Sequence, residues 1–328
     1  MSATKPRVAI TDWTFADLGI ETHLLQAEDI ELVSNQCKTE PELISLVSDA
    51  DAVITQFARI NANVIGAMTK ARAIVRYGIG VDNVDLAAAR TRNIPVCNIP
   101  DYCMDEVADH TLAFILATIR QIVPNTIHLH EGMWGLPVPL TAMQTLKNLT
   151  VGVIGFGRIG REVVRRLLVF KCRVLLFDPV VPPAEVAKAG AEATGSLEAL
   201  LTQSDIVTVH CPSMSQTRRM FSTAAFARMK PGAIFINVSR GDLVDSGALV
   251  SALQTGKLSA AALDVFDPEP IPADHPILKM PNVILTAHIA SASSAAVKRL
   301  RETVAGIAAL AVRGQPLPNI VNGVKSTV

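Results

Sequence analysis

Four residues in the final third of the 328-residue chain have the types that proton and hydride chemistry on a small acid requires. Arg240 follows the apolar run AIFINVS, within VSRGDLVD. Asp264 lies in AAALDVF, Glu269 in FDPEP just beyond it, and His288 follows NVILTA. Histidine exchanges protons near neutral pH, which makes it the commonest general acid–base. A cation binds a carboxylate and the adjacent carbonyl, and a second carboxylate can hold the histidine. Each residue also has a purely structural reading: Arg240 as a loop cap, Asp264 as a turn former, Glu269 as a solvated acid between prolines, His288 as packing. The four acquire a common purpose only if another part of the chain binds a hydride carrier.

That part is VGVIGFGRIGREVVRRLL. Gly155, Gly157 and Gly160 form G-x-G-x-x-G between a strand pattern and a helix pattern. The first glycine permits a tight turn, the second lets backbone approach a pyrophosphate, and the third lets helix and strand pack closely. The helix start adds free N–H groups and partial positive charge for the phosphates. The next apolar run ends at Asp178, about 20 residues beyond the loop, where a ribose 2′-hydroxyl acceptor belongs. Pro179, Val180 and Val181 follow, with no arginine to meet a 2′-phosphate, so the expected cofactor is NAD (NADH) in preference to NADP.

Elements of one kind must place these residues together. Short apolar runs alternate with helix-period stretches: RVAIT, DIELV, DAVIT, RAIVRYG and IPVCNI first, then TVGVIGF, RVLLFD, DIVTVH, AIFINVS, AAALDV and NVILTA after Leu149. The alternation implies parallel strands with helical crossovers. Ligands of such sheets sit beyond the strands' carboxyl ends, where Arg240, Asp264 and His288 all fall. Between the two halves lie a long, nearly uncharged helix pattern over residues 105–122 and the irregular HEGMWGLPVPL. The pattern SAAVKRLRETVAGIAALAVRG closes the chain with no further strand, so it could return to the first domain.

Composition narrows the class. The length suits about two domains of roughly 150 residues. Hydrophobic residues make up 49%, and 30 basic residues balance 30 acidic ones without long runs. This argues against a nucleic-acid footprint or a basic membrane patch. The cysteines Cys37, Cys97, Cys103, Cys172 and Cys211 show no zinc spacing and read as buried hydrophobes of a reducing compartment, with no metal expected. MSATKPRVAI lacks a leader's apolar core, and no run approaches a membrane span, so a cytoplasmic location is expected.

The motifs RYGIGVDNVDL, DEVADHTLAFIL, VIGFGRIG, FINVSRGDLVD, ALDVFDPEP and HIAS, in this order, resemble the D-isomer-specific 2-hydroxyacid dehydrogenase family over nearly the whole chain. RYGIGVDNVD with DYCMDEVADH is most similar to the subgroup named after the C-terminal-binding-protein corepressors. The resemblance implies an α/β architecture of two doubly wound parallel-sheet domains. A flavodoxin-like substrate domain (1–101 and 293–328) would surround an inserted Rossmann NAD domain (102–292), with the active site in the interdomain cleft.

It also implies roles. Arg240 would bind the substrate's carboxylate and 2-oxo group. His288 would be the acid–base, with Glu269 hydrogen-bonding it and keeping it protonated near neutral pH. Asp264 would hold the nicotinamide carboxamide, and Val107 would back the ring. Arg158, Ile159 and Thr217 would lie along the pyrophosphate, and His210, Cys211 and Pro212 would line the adenine side, with Val238 and Ser239 completing the cofactor site. Ile79 and Gly80 would offer backbone N–H groups to the substrate. In relatives the long helix and the EGMWG loop would form a homodimer contact.

The reading is therefore an NAD-dependent reductase or dehydrogenase of a small D-2-hydroxy acid. Two positions depart from the family: Ala287, where relatives usually have proline, and Ser291, where the corepressor branch has tryptophan. The alternative class is an NAD(H)-sensing, corepressor-like interaction protein. A formate- or phosphite-oxidising relative is disfavoured by Glu269. Arg59, Trp13 and Phe57 are first-domain side chains that could face a substrate, with a solvated surface role the simpler reading for Arg59.

Overall fold

In a computed structural model, which describes residues 5–325, the chain divides into two compact units. One comprises Met1–Tyr102 with Ser293–Val328, and the other Cys103–Ala292. Residues 1–4, part of the amino-terminal stretch read above as lacking a leader, lie outside the described residues, as do 326–328.

The first unit begins with β1 (Arg7–Ile10), α1 (Gly19–Ala27), β2 (Glu31–Ser34), α2 (Glu40–Val47), β3 (Ala52–Thr55), α3 (Ala62–Ala67), β4 (Ile74–Arg76), α4 (Leu86–Thr91) and β5 (Val96–Cys97). Its five parallel strands run in the order β2-β1-β3-β4-β5, the flavodoxin-like doubly wound order. β3 and β4 are buried along their whole length, as strands covered on both faces should be. α2 starts where the sequence provides a full capping box: Thr39 accepts from the Glu42 N–H, and Glu42 accepts from the Thr39 N–H.

The second unit continues with α5 (Met104–Ile119), α6 (Ile122–His130), β6 (Thr150–Ile154), α7 (Arg158–Val169), β7 (Arg173–Phe177), α8 (Pro183–Lys188), β8 (Glu192–Ala193), α9 (Leu197–Gln203), β9 (Ile206–Val209), α10 (Thr223–Arg228), β10 (Ala233–Asn237), α11 (Ser246–Gln254), β11 (Leu258–Leu263) and β12 (Val283–Leu285). Its parallel sheet runs β12-β11-β10-β9-β6-β7-β8, the Rossmann order with one strand added beyond β11. α7 buries Gly160, Val163, Val164 and Leu167, a stripe at helical spacing. A cluster of Phe221, Phe226 and Phe235 forms part of the core, with centroids 4.6–5.9 Å apart.

α12 (Ser294–Val312) returns to the first unit, where it packs on α1, β3 and β4. Its Arg301 grips the wholly buried Glu21 of α1 with two hydrogen bonds, at 2.8 and 2.7 Å. Tyr77 donates to the same carboxylate at 2.9 Å, and the Phe15 ring lies 4.9 Å under the guanidinium. A buried carboxylate tolerates burial only with such a full set of donors.

One helix expected as continuous is broken. The pattern over 105–122 gives α5 to Ile119, and Gln121 then adopts φ 55° and turns the chain by 65° into α6. Pro124 lies inside α6. It falls within the first turn of α6, where backbone N–H groups have no helical partner to lose.

Candidate active site

Strand register brings the predicted residues to one edge. Phe177, Ile154, Val209, Asn237, Leu263 and Leu285 are successive partners across β7, β6, β9, β10, β11 and β12. The next residue in each strand's chain therefore lies at one level: Asp178, Gly155, His210, Val238, Asp264 and Thr286. Arg240 and His288 follow two residues beyond the last named level.

The glycine loop has the geometry of a phosphate cradle. Gly155 has φ 94°, and a Cβ there would sit 2.7 Å from the His210 carbonyl oxygen. A Cβ on Gly160 would strike the Gly155 carbonyl. Gly157 caps α7 with no side chain bonded to the first-turn N–H groups, and a Cβ there would meet nothing within 4 Å. Backbone donors facing open space, at the start of a 12-residue helix, fit a dinucleotide pyrophosphate. Arg158 and Ile159 are in that first turn. The Asp178 carboxylate braces the same loop by accepting from Phe156 at 2.8 Å, and it closes its own turn by accepting from Val180 at 2.9 Å.

His210 bonds Thr208 Oγ1 at 2.9 Å, and burial pushes its imidazole well below its ordinary value. Burial pushes the Cys211 thiol up to about 11, so it is no nucleophile at neutral pH. Thr217 directs its hydroxyl to the Pro212 carbonyl at 2.7 Å, within its own loop. Val238 is buried, and Ser239 donates to the Cys211 carbonyl, joining the loops after β9 and β10. Val107 is buried on α5, which packs on α7, β10 and β11.

His288 and Glu269, expected to work together, are in contact. His288 Nδ1 lies 2.7 Å from Glu269 Oε2, while Glu269 Oε1 accepts from the Phe266 N–H at 2.9 Å. Burial alone would raise the Glu269 carboxyl, but the His288 hydrogen bond and charge, the Phe266 N–H and the Arg240 charge together hold it below its ordinary value. The proline-rich loop that carries Glu269 has cis peptides at Asp267–Pro268 and Glu269–Pro270. His288 itself has φ 53°, a left-handed conformation that costs a non-glycine residue about 1–3 kcal/mol and must be held by its surroundings.

Asp264 provides that hold. Expected at the nicotinamide carboxamide, it is only 1% exposed and also anchors the histidine loop. Its main-chain oxygen accepts from His288 N–H at 2.7 Å. Its carboxylate accepts from Ile289 at 2.8 Å, from Ala290 at 2.9 Å and from the Thr286 hydroxyl.

Three contributors went unread in the sequence. Asn237, buried, staples the Arg240 turn by accepting from Ser239 N–H at 3.0 Å and donating to the Arg240 carbonyl at 2.8 Å. Gly241 lets that turn meet the Glu269 loop, since a Cβ would collide with the Phe266 backbone. Thr286 supplies the hydroxyl to Asp264. Asparagine at a strand end and glycine after the arginine are the signals available, and both look like ordinary turn residues.

Ile79 and Gly80 belong to the other unit, in the turn after β4, where Asn98 donates to the Ile79 carbonyl at 2.7 Å. Nearby loops of that unit are anchored by Asp12, whose carboxylate accepts from Gln56, Phe57 and Ala58 N–H groups at 3.0, 2.6 and 3.1 Å. Phe57 and Arg59 are exposed there, Trp13 is half-buried, and the Arg59 charge acts on Glu40.

Comparison with known proteins places this architecture. Residues 112–290 match the family model described as D-isomer specific 2-hydroxyacid dehydrogenase, NAD binding domain. A glyoxylate reductase of Korarchaeum cryptofilum is 37% identical over 326 residues, covering 97% of this chain and 96% of that protein. A D-3-phosphoglycerate dehydrogenase of Mycobacterium bovis is 37% identical over 282 residues, covering 86% of this chain but 53% of that protein, so the chain spans about half the length of such relatives. The crystal structure of a D-lactate dehydrogenase from Aquifex aeolicus, complexed with NAD and lactic acid, superposes with a TM-score of 0.84 at 28% identity over 94% of this chain and 96% of that one. The chain belongs to the D-isomer-specific 2-hydroxyacid dehydrogenase family. These matches define the family and assign no subgroup within it.

Proposed function

We propose that the protein is an NAD-dependent oxidoreductase that interconverts a small 2-oxo acid and its D-2-hydroxy acid. The observation that carries the reading is the His288–Glu269 pair, at 2.7 Å, on the sheet edge that also bears the glycine loop. The relatives named above are called after glyoxylate, 3-phosphoglycerate and lactate, which share a carboxylate beside an oxidisable or reducible carbon.

In this reading the Arg240 guanidinium binds the carboxylate and polarises the 2-oxo group. His288 gives its Nε2 proton to the carbonyl oxygen as the carbon is reduced, and takes it back in the oxidative direction. Glu269, bonded to Nδ1, orients the ring and balances the imidazolium charge. The cofactor, when bound, supplies or accepts the hydride. Asp178 favours NAD over NADP because its carboxylate would repel a 2′-phosphate.

The reading extends to a homodimer. α6 buries none of its residues, and with the following loop it exposes Ile127, Leu129, Met133, Trp134, Leu136 and Leu140, Trp134 to 93%. Clustered apolar exposure of this kind marks an interface, and a second copy is its proposed occupant.

The test is NADH consumption across 2-oxo acids of varied length and charge, glyoxylate and hydroxypyruvate among them. At least one should turn over, faster with NADH than with NADPH. A sample that binds NADH and reduces none of them would favour the sensing role instead.

A further inference from the structure

His110 of α5 belongs to none of the roles assigned above, yet it touches the support of the His288 loop. Its Nε2 lies 3.2 Å from Thr286 Oγ1. Thr286 has a single hydroxyl hydrogen, which goes to Asp264 Oδ1, so the oxygen can only accept from the ring, and His110 must carry a hydrogen on Nε2. The chain of donors then runs from His110 to Thr286 to Asp264. The Asp264 carboxylate in turn holds the Ile289 and Ala290 N–H groups immediately after His288.

The ring is itself fixed. It packs edge-on to Phe114, one turn along α5, with centroids 4.4 Å apart. Asp264 is the charged group facing it, at 4.0 Å. Burial lowers the imidazole below its ordinary value despite the opposing Asp264 charge, which keeps it a neutral donor at neutral pH. Val107 lies one turn before His110 on the same helix face, so one face of α5 carries both the residue expected behind the nicotinamide and the donor to the catalytic loop.

We infer that His110 is a positioning residue: through Thr286 and Asp264 it fixes the backbone that holds His288 in its left-handed conformation. This rests on the reading of His288 as the acid–base. Without the His110 donor the Thr286 hydroxyl can rotate away from Asp264. The carboxylate then loses one of its three donors in a buried site, and the two backbone N–H bonds are left to hold the loop alone.

The experiment compares His110→Phe and Thr286→Val with the donor-retaining His110→Gln and Thr286→Ser, using intact protein. Amide hydrogen exchange at Ile289 and Ala290 reads the loop without turnover, and kcat is set against the NADH Kd. His110→Phe and Thr286→Val should each speed exchange about 10-fold, which corresponds to about 1.4 kcal/mol, and lower kcat about 10-fold with NADH Kd within about two-fold. The glutamine and serine variants should restore most of both. Unchanged exchange and kcat in Thr286→Val, which preserves shape, would overturn the proposal even if His110→Phe fails to fold. A His288→Asn sample run beside them separates the two claims. Normal turnover there would remove the acid–base reading, while the exchange data would still decide whether His110 fixes the loop.

Discussion

Glu269 keeps a lowered pKa in a place where burial alone would raise it. Its folded-state pKa lies below the ordinary 4.5 of the unfolded chain, so its contribution to stability is fully present above that pH. The contribution is lost as the pH falls through the folded value. Glu269→Gln keeps the shape and the acceptor for Phe266 N–H but loses the charge. We expect this variant to be less stable than the parent at pH 7 and equal to it well below pH 4.5, by urea unfolding at a series of pH values. A constant difference across that range would show that charge is not what Glu269 contributes. The same substitution should lower kcat on the order of 100-fold, near the low end of what acid–base catalysis supplies.

Loops after β10 and β11 carry Arg240 and Glu269, and Gly241 is where they meet. A methyl group there would meet the Phe266 backbone, which cannot move aside as a flexible side chain could. Gly241→Ala should therefore destabilise the protein by about 1–3 kcal/mol and lower kcat/KM more than NADH affinity. Wild-type stability and kinetics would show that the loops do not need this approach. Such elements explain what could be read in advance. Apolar runs such as AIFINVS and RVLLFD, lying between helix-period stretches, carried the parallel sheets, because strands covered on both faces leave near-continuous apolar sequence. Spacing carried the glycine loop and Asp178. Asp264 was legible as a residue at the right edge but not as the anchor of the His288 loop, because hydrogen bonds to backbone leave no pattern in residue types. The helix pattern read over 105–122 stops where α6 begins, and α6 buries none of its residues, so no apolar stripe marks it in the sequence.

On the scale of the whole molecule, 30 basic and 30 acidic residues leave no net charge, and α6 with residues 133–140 exposes a run of large apolar side chains. Trp134→Glu with Leu140→Glu should shift the protein from dimer to monomer in sedimentation at micromolar concentration. A species of the same mass before and after would remove this strip from the assembly. His288 decides the reading of the molecule most directly. The decisive measurement is kcat for 2-oxo-acid reduction by His288→Asn, with NADH binding followed by fluorescence in the same samples. The expected result is a fall of about 10²- to 10⁴-fold in kcat at unchanged NADH affinity; turnover close to wild type would contradict it.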